Sequence, residues 1–406
     1  MAAFERFAGA PLPTEAEEIW RYSRISQLDL DAYVPPAPDG ASPPAGLPDE
    51  LLPVLEAAGP RSGLLVLRDG RVCHRELDPE LEARGVTLGP LAEAPDGEEL
   101  LGAVADAEDP FVDLATAFSA EPVAVVVPRR VVVEHPILVV HHLGVGAAAS
   151  AVFPRVVVRA GEAAGVNVLD HLESAPGVAA LVTPVVELDV GDASHVGYLG
   201  VQELSGEAWQ IGYQASRVGR DATLTSSVIA LGGSYARVRA DSSLTGQGGT
   251  SRLLAAYFGD GHQMHDFRTM QDHAAPKTSS DLLFKGAVED EAHAVYSGLI
   301  RVRKGASGTN AMQTNRNLVL DEGARADSVP NLEIEENDVR CSHASAVGPV
   351  DEDQLYYLEA RGVPREVAER LIVLGFFDDV IGAAPVPALR PRLRAAVAAK
   401  LTGAGA

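Results

Sequence analysis

The chain has 406 residues, enough for two or three folding units, and its 46% hydrophobic and 22% charged residues are ordinary for a globular protein. A net charge of −24, from 57 acidic against 33 basic residues, argues against nucleic acid and anionic membranes as partners. Two cysteines, Cys73 and Cys341, make no disulfide framework, and no early run suits a leader or a membrane span, so a cytoplasmic location is expected.

In chain order, Thr14-Glu15-Ala16-Glu17 has the S/T-x-x-E form of a helix capping box. It predicts a short helix carrying Ile19 and Trp20 within an N-terminal helical segment, residues 1–33. VPPAPDGASPPAGLPD at 34–49 reads as a linker, because proline removes donors and restricts the backbone. Residues 50–120 read as a mixed α/β region. Asp69-Gly70 inside LLVLRDGRVCHREL suits a tight hairpin, and Phe111, Leu114 and Phe118 stand at helical spacing.

From 121 to 348 the texture changes to short β-branched runs such as VAVVVP, RVVVRA and PVVELDV, parted by Gly, Asp or Asn. Similar turns end in Ala163, Ala193, Ala222, Ala292, Ala306 and Ala324, the first three 30 and 29 residues apart. Two strands and two turns need about that length, so each such unit is one coil of a solenoid. An antiparallel sandwich would show more hairpin signals. The fold class expected is mainly β: a right-handed parallel β-helix core flanked by an N-terminal α/β region and a C-terminal helical domain. Within 349–406, helices are expected around DEDQLYYLEARG and VPREVAERLIVLGFFDDVI, with Gly362 as a stop and Pro364 in the following first turn. A basic tail helix that then frays completes the chain.

Candidate chemistry is sparse. His262, His265, Asp266, Asp272 and His273 supply donors suited to zinc or iron, but strand positions i and i+3 face opposite sides. A polar strand edge with stacked histidines is the plainer reading. His141, His142 and His195 lack partners at chelating spacing and read as surface or internally satisfied residues. GQGGTSR at 246–252 lacks the Lys-Ser/Thr ending and following helix of a phosphate loop, and no G-x-S-x-G elbow is present. In VRCSHASAVG, Cys341 and His343 stand at i and i+2, on one side of a strand. Thiolate and imidazole together suit iron, zinc or sulfur chemistry, yet two ligands are short of a complete site. Either a partner supplies the rest or the site is transient, and a buried cysteine acting as a small hydrophobe is the competing reading.

DHAAPKTSSDLLFKGAVEDEAHAVYSGLIRV, TNRNLVLDEGARADSVPNLEIEENDVRCSHASAVG and LYYLEARGVPREVAERLIVLGFF follow one another from 272 to 380. In that order they resemble the SufB/SufD family of iron–sulfur cluster assembly proteins. DPFVDLATAFSAEPVAVVVP and EEIWRYS resemble it more weakly. Asn315 stands where the SufB branch places a cysteine and His343 where it places a glutamate, so the pattern is that of the SufD branch. One departure is Ala344, where a glycine usually follows the histidine.

The resemblance implies a β-helix between helical ends, a SufB-like subunit as partner and a SufC-like ATPase bound by the C-terminal helices; the exposed strand edges of a β-helix add the expectation of a homodimer when the chain is alone. The resemblance also implies no catalysis by this chain and no permanently bound cofactor. His343, with Cys341 nearby, would hold transient iron or a nascent cluster shared with the SufB-like subunit. Leu355, Val367, Leu371 and Phe376 are expected to form one apolar face, part covering the end of the β-helix and part meeting the ATPase. The segment 292–345 is expected at a subunit boundary. The rival functions are a polysaccharide-active enzyme on a β-helix and a purely structural assembly subunit without a metal site.

Overall fold

Strands buried at almost every position, such as Arg155–Ala160 and Val185–Val190, need cover on both faces. The fold supplies it. The computed structural model describes residues 2–35, 46–105 and 109–402. Residues 36–45 of the expected linker, and the frayed end expected beyond 402, lie outside the described residues.

Strands alternate between two sheets and coil into a parallel β-solenoid of about eight turns, with 42% strand and 23% helix. The register is regular: Tyr235 pairs with Met264, and Met264 with His293, so one coil takes 29 residues. The expected parallel β-helix is present. Side chains alternate across each strand. Along Thr250–Gly259, Leu253, Ala255 and Tyr257 face the lumen, against Phe267, Phe284 and Tyr296. Leu254, Ala256 and Phe258 face outward into a second core.

The alanine repeat is real but out of phase. Ala163 and Ala193 occupy exposed turn positions in the left-handed region (φ 55° and 56°), as does Asp221 one coil later. The residues that turn inward at the corners are Ala164, Ala222 and Ala292, all buried. Similar residue types thus serve two adjacent positions of the same turn.

Residues 50–120 build the near end of the solenoid. Gly63–Arg68 pairs antiparallel with Arg71–Leu77 around Asp69 (φ 51°) and Gly70 (φ 84°), the two left-handed positions that an Asp-Gly turn accepts. Gly63–Arg68 also pairs in parallel with Ile137–Leu143, so the hairpin starts the first sheet. Thr87–Pro90 pairs antiparallel with Val123–Val127 and starts the second. The predicted helix spans Pro110–Phe118, its first turn capped by the Asp109 carboxylate.

Two elements cover the outer faces. The N-terminal segment lies on the second sheet, where Trp20 is buried against Phe111 and beneath the Arg237 guanidinium, 3.9 Å from its ring. The capping box there is half formed. The Glu17 carboxylate accepts from the Thr14 amide at 2.9 Å, but the Glu17 amide bonds the Thr14 carbonyl rather than its hydroxyl. Only a single 3₁₀ turn, Glu18–Trp20, follows.

The helices Glu352–Glu359, Arg365–Ile381 and Arg390–Lys400 lie across the first sheet. Gly362 (φ 84°) stops the first, while Pro364 is the N-cap of the second rather than part of its first turn. Ala368, Val373, Phe377, Val380 and Ile381 pack on the outward Leu254 and Phe258, each large side chain contributing roughly 1.5–3 kcal/mol. Two buried lysines lock the arrangement. Lys285 Nζ donates to the Phe376 carbonyl and Asp379 (2.7 and 2.6 Å). Lys400 Nζ donates to the Leu231 carbonyl, Asp260 and Gln263. The helices therefore flank the solenoid instead of covering its far end, which is left open.

Candidate functional site

The far end is made by the last coil. Arg325–Ile334 is the final strand of one sheet and Arg340–Gly348 the final strand of the other, each paired on one side only. A terminal strand presents unpaired N–H and C=O groups, which invite another chain. Exposure follows: Leu332, Ile334 and Val347 are 36%, 44% and 45% exposed, whereas the strand one coil earlier, His293–Val302, is buried at most positions. Within 292–345, exposure is concentrated on the two strands of the last coil.

Cys341 and His343 both lie on this coil. In the parallel pairing Cys341 stands opposite Ala311, His343 opposite Gln313 and Ser345 opposite Asn315. Ala311, Gln313 and Asn315 are buried, so this row of alternating positions is the lumen side of the strand. Thiol and imidazole therefore share one side, at the mouth of the lumen. His343 is exposed. Cys341 is half-buried beside Ile300, Val302, Ala306 and Ala311, and burial pushes its thiol pKa up. A metal would have to draw off that proton before the sulfur could bind. Ala344 pairs with Thr314 mid-strand and is not a positive-φ residue, so its replacement of glycine carries no backbone strain.

Among the described residues no group of three or more His, Cys, Asp or Glu side chains stands ready to hold a metal. The other candidates are dispersed. Asp266 is taken by Arg237 and Arg268, and Asp272 by Arg303. His262 is exposed and 3.2 Å from Glu291. His265 and His273 are buried in the solenoid rather than along an exposed strand edge. Burial drives His265 down to about 3, helped by the charge of Lys400, and takes His273 down to about 4. His273 is held between Thr278 and Ser280 (2.7 and 2.9 Å). His141 and His142 are buried beside Asp170 and Glu173, and His195 is exposed. Residues 246–252 form a turn leading into the strand Thr250–Gly259, not into a helix.

The expected apolar face of the C-terminal helices divides. Leu355 is buried, and Phe376 packs inward with the Lys285 ammonium 4.6 Å from its ring. Val367 and Leu371 point outward, 43% and 51% exposed, and Tyr356 and Tyr357 are likewise exposed. The helix turns the face of Val373, Phe377 and Val380 to the sheet, leaving Val367 and Leu371 outside.

The sequence marks Asn315 only as a branch difference, and does not bring out the row of amides to which it belongs. Gln313, Asn315 and Asn317 line the lumen directly beneath the site. Asn315 Nδ2 donates to Tyr257 Oη (3.0 Å) and the Phe284 carbonyl, and Asn317 Nδ2 donates to Asn315 Oδ1 (2.8 Å). Their i, i+2, i+4 spacing in AMQTNRNLV was the available signal.

Against known proteins, a family model described as the SufBD core domain of SUF-system FeS cluster assembly matches residues 142–376. The chain is 41% identical over 220 residues to an iron–sulfur cluster assembly SufBD family protein of Mycobacterium tuberculosis, covering 52% of this chain and 55% of that one. The chain thus spans about half the length of these mycobacterial relatives. It is 29% identical to the iron–sulfur cluster assembly protein SufD of Bacillus subtilis, over 87% of this chain and 83% of that protein. With SufD of Escherichia coli the identity is 33%, over 45% and 43%.

Proposed function

Because this chain belongs to the SufBD family of iron–sulfur cluster assembly proteins, we propose that it is a SufD-like scaffold subunit of a cluster-assembly complex. In this reading the open end of the solenoid pairs with a SufB-like subunit, or with a second copy of the chain when that subunit is missing. The exposed Tyr356, Tyr357, Val367 and Leu371 dock a SufC-like ATPase. His343 and Cys341 hold iron or a nascent cluster as passing cargo, and the chain itself catalyses nothing.

The observation that carries the reading is the coincidence of two features in one coil. The last coil ends the far side of the solenoid with Arg325–Ile334 and Arg340–Gly348 each paired on one side only, and it also carries an imidazole and a thiol on the lumen side. A partner pairing there would bring its own donors to a site that is incomplete by itself. Two ligands bind weakly, which suits cargo that must leave. Among the described residues no helix is long and apolar enough to cross a membrane.

The edge is testable without touching the metal donors. Ile334→Lys with Val347→Lys puts charge on exposed apolar positions of both terminal strands. Recovery of the SufB-like subunit in a pull-down should fall at least about tenfold, a change of about 1.4 kcal/mol. Undiminished recovery, with sedimentation showing the same species as the wild type, would refute pairing at this end.

A further inference from the structure

We infer that Gln313 is a third protein ligand at the mouth of the lumen, giving its side-chain oxygen to the metal cargo that His343 receives. The inference rests on the proposed role of His343 and extends it one coil inward.

Gln313 lies on Asn310–Val319, directly opposite His343 in the parallel pairing. In-register neighbours on adjacent strands stand about 4.8 Å apart, so both side chains project from the same wall of the lumen. Gln313 is completely buried, yet neither its Oε1 nor its Nε2 has a hydrogen-bond partner. The other two amides of that row are engaged: Asn315 with Tyr257 and Phe284, Asn317 with Asn315 and Tyr257. An unpaired buried amide costs roughly 1–3 kcal/mol. Within this row the cost falls on the one amide adjacent to the site and not on its two neighbours, although the buried Gln271 on Met264–His273 is unpaired as well.

The surroundings constrain what can take it. Across the lumen, Gly298 approaches so closely that an added Cβ would lie 2.7 Å from Gln313 Nε2 and 2.8 Å from Thr269 Oγ1, with Tyr296 Oη nearer still. The amide nitrogen is thus packed against the opposite wall. The oxygen is the atom a metal takes from an amide, as it has lone pairs and the –NH₂ does not. With the His343 nitrogen and the Cys341 sulfur it makes a mixed N, S, O set, a combination compatible with a first-row divalent ion. Backbone register sets the three residues in neighbouring lumen-side positions of two paired strands, so a metal held by them would keep coordination positions open toward the mouth, where a partner would stand.

Cobalt(II) is the probe, because its ligand-field absorption reports the donor set without any cluster chemistry. The purified full chain is titrated anaerobically with Co(II), alongside His343→Ala, Gln313→Leu and Gln313→Glu, and each is melted without metal. Wild type should bind, and His343→Ala should lose at least about tenfold in affinity. Gln313→Leu should also lose about tenfold and show a changed ligand-field spectrum, while melting no lower than wild type because the orphan amide is gone. Gln313→Glu, which keeps an oxygen donor, should recover binding and a spectrum closer to wild type. If His343→Ala weakens binding but Gln313→Leu matches wild type in affinity and spectrum, this inference is overturned and the role of His343 stands. A lower melt of Gln313→Leu with unaltered cobalt binding would mark the amide as structural, also overturning it. Should His343→Ala bind as wild type does, or wild type not bind at all, the site itself fails.

Discussion

Glu203→Gln should cost the protein about 3 kcal/mol at neutral pH. The carboxylate ends the strand His195–Glu203, under the helix Arg390–Lys400. His171 Nε2 lies 2.9 Å from its Oε2, and Arg392 Nη2 donates to the same oxygen at 2.7 Å. Burial alone would raise its pKa. The hydrogen bond and charge of His171, then the charge and hydrogen bond of Arg392, outweigh that and hold it near 2, from an ordinary 4.5. Such a depression corresponds to about 3 kcal/mol. Because the folded pKa is below the unfolded one, this stability is complete above pH 4.5 and is lost as pH falls toward 2. The assay is equilibrium urea unfolding of wild type and Glu203→Gln from pH 7 to pH 3. The gap between the two curves should be widest at neutral pH and close on acidification. A gap under about 1 kcal/mol at pH 7, or one that does not narrow by pH 3, would refute the reasoning.

Glu289 works in the opposite direction. Burial, with Asp260, Asp290 and Asp321 nearby, lifts its carboxyl to about 7. Its stabilising contribution is therefore present below about 4.5 and lost as pH rises through 7, so Glu289→Gln should raise the melting temperature at pH 8 and leave it nearly unchanged at pH 4; equal shifts at both would contradict this. Val367→Asp with Leu371→Asp alters only exposed positions and should abolish co-purification of the SufC-like ATPase with an unchanged melt, whereas full recovery would remove that surface from the account. Truncation after Gly348 should give insoluble or protease-sensitive protein, since it strips cover from Leu254, Ala256 and Phe258; a soluble chain with an unchanged melt would show that the helices are dispensable for the fold.

The solenoid is legible in the sequence because a strand buried on both faces has few ways to be written, and runs such as RVVVRA are such strands. The phase of its turns is not, because alanine fills both the exposed position of Ala163 and the inward corner of Ala164. Helical spacing groups Val367 with Leu371, but which side meets the sheet depends on Phe377 and Lys285 finding their partners across the chain. The shared side of Cys341 and His343 follows from strand alternation alone. That Gln313 lies beneath His343 does not. It requires knowing that the coil from Gln313 to His343 is 30 residues long, and the spacing drifts along the chain.

The central claim is that His343 handles iron at the open end of the solenoid. It is tested most directly by the iron content and visible absorbance of complexes purified anaerobically with the SufB-like subunit and the ATPase, comparing wild type with His343→Ala at matched subunit ratios. Exposure of His343 means the substitution should leave the melt and the subunit ratios unchanged. Iron and cluster absorbance should fall severalfold. Equal iron in the two complexes would make His343 a surface histidine and contradict the account.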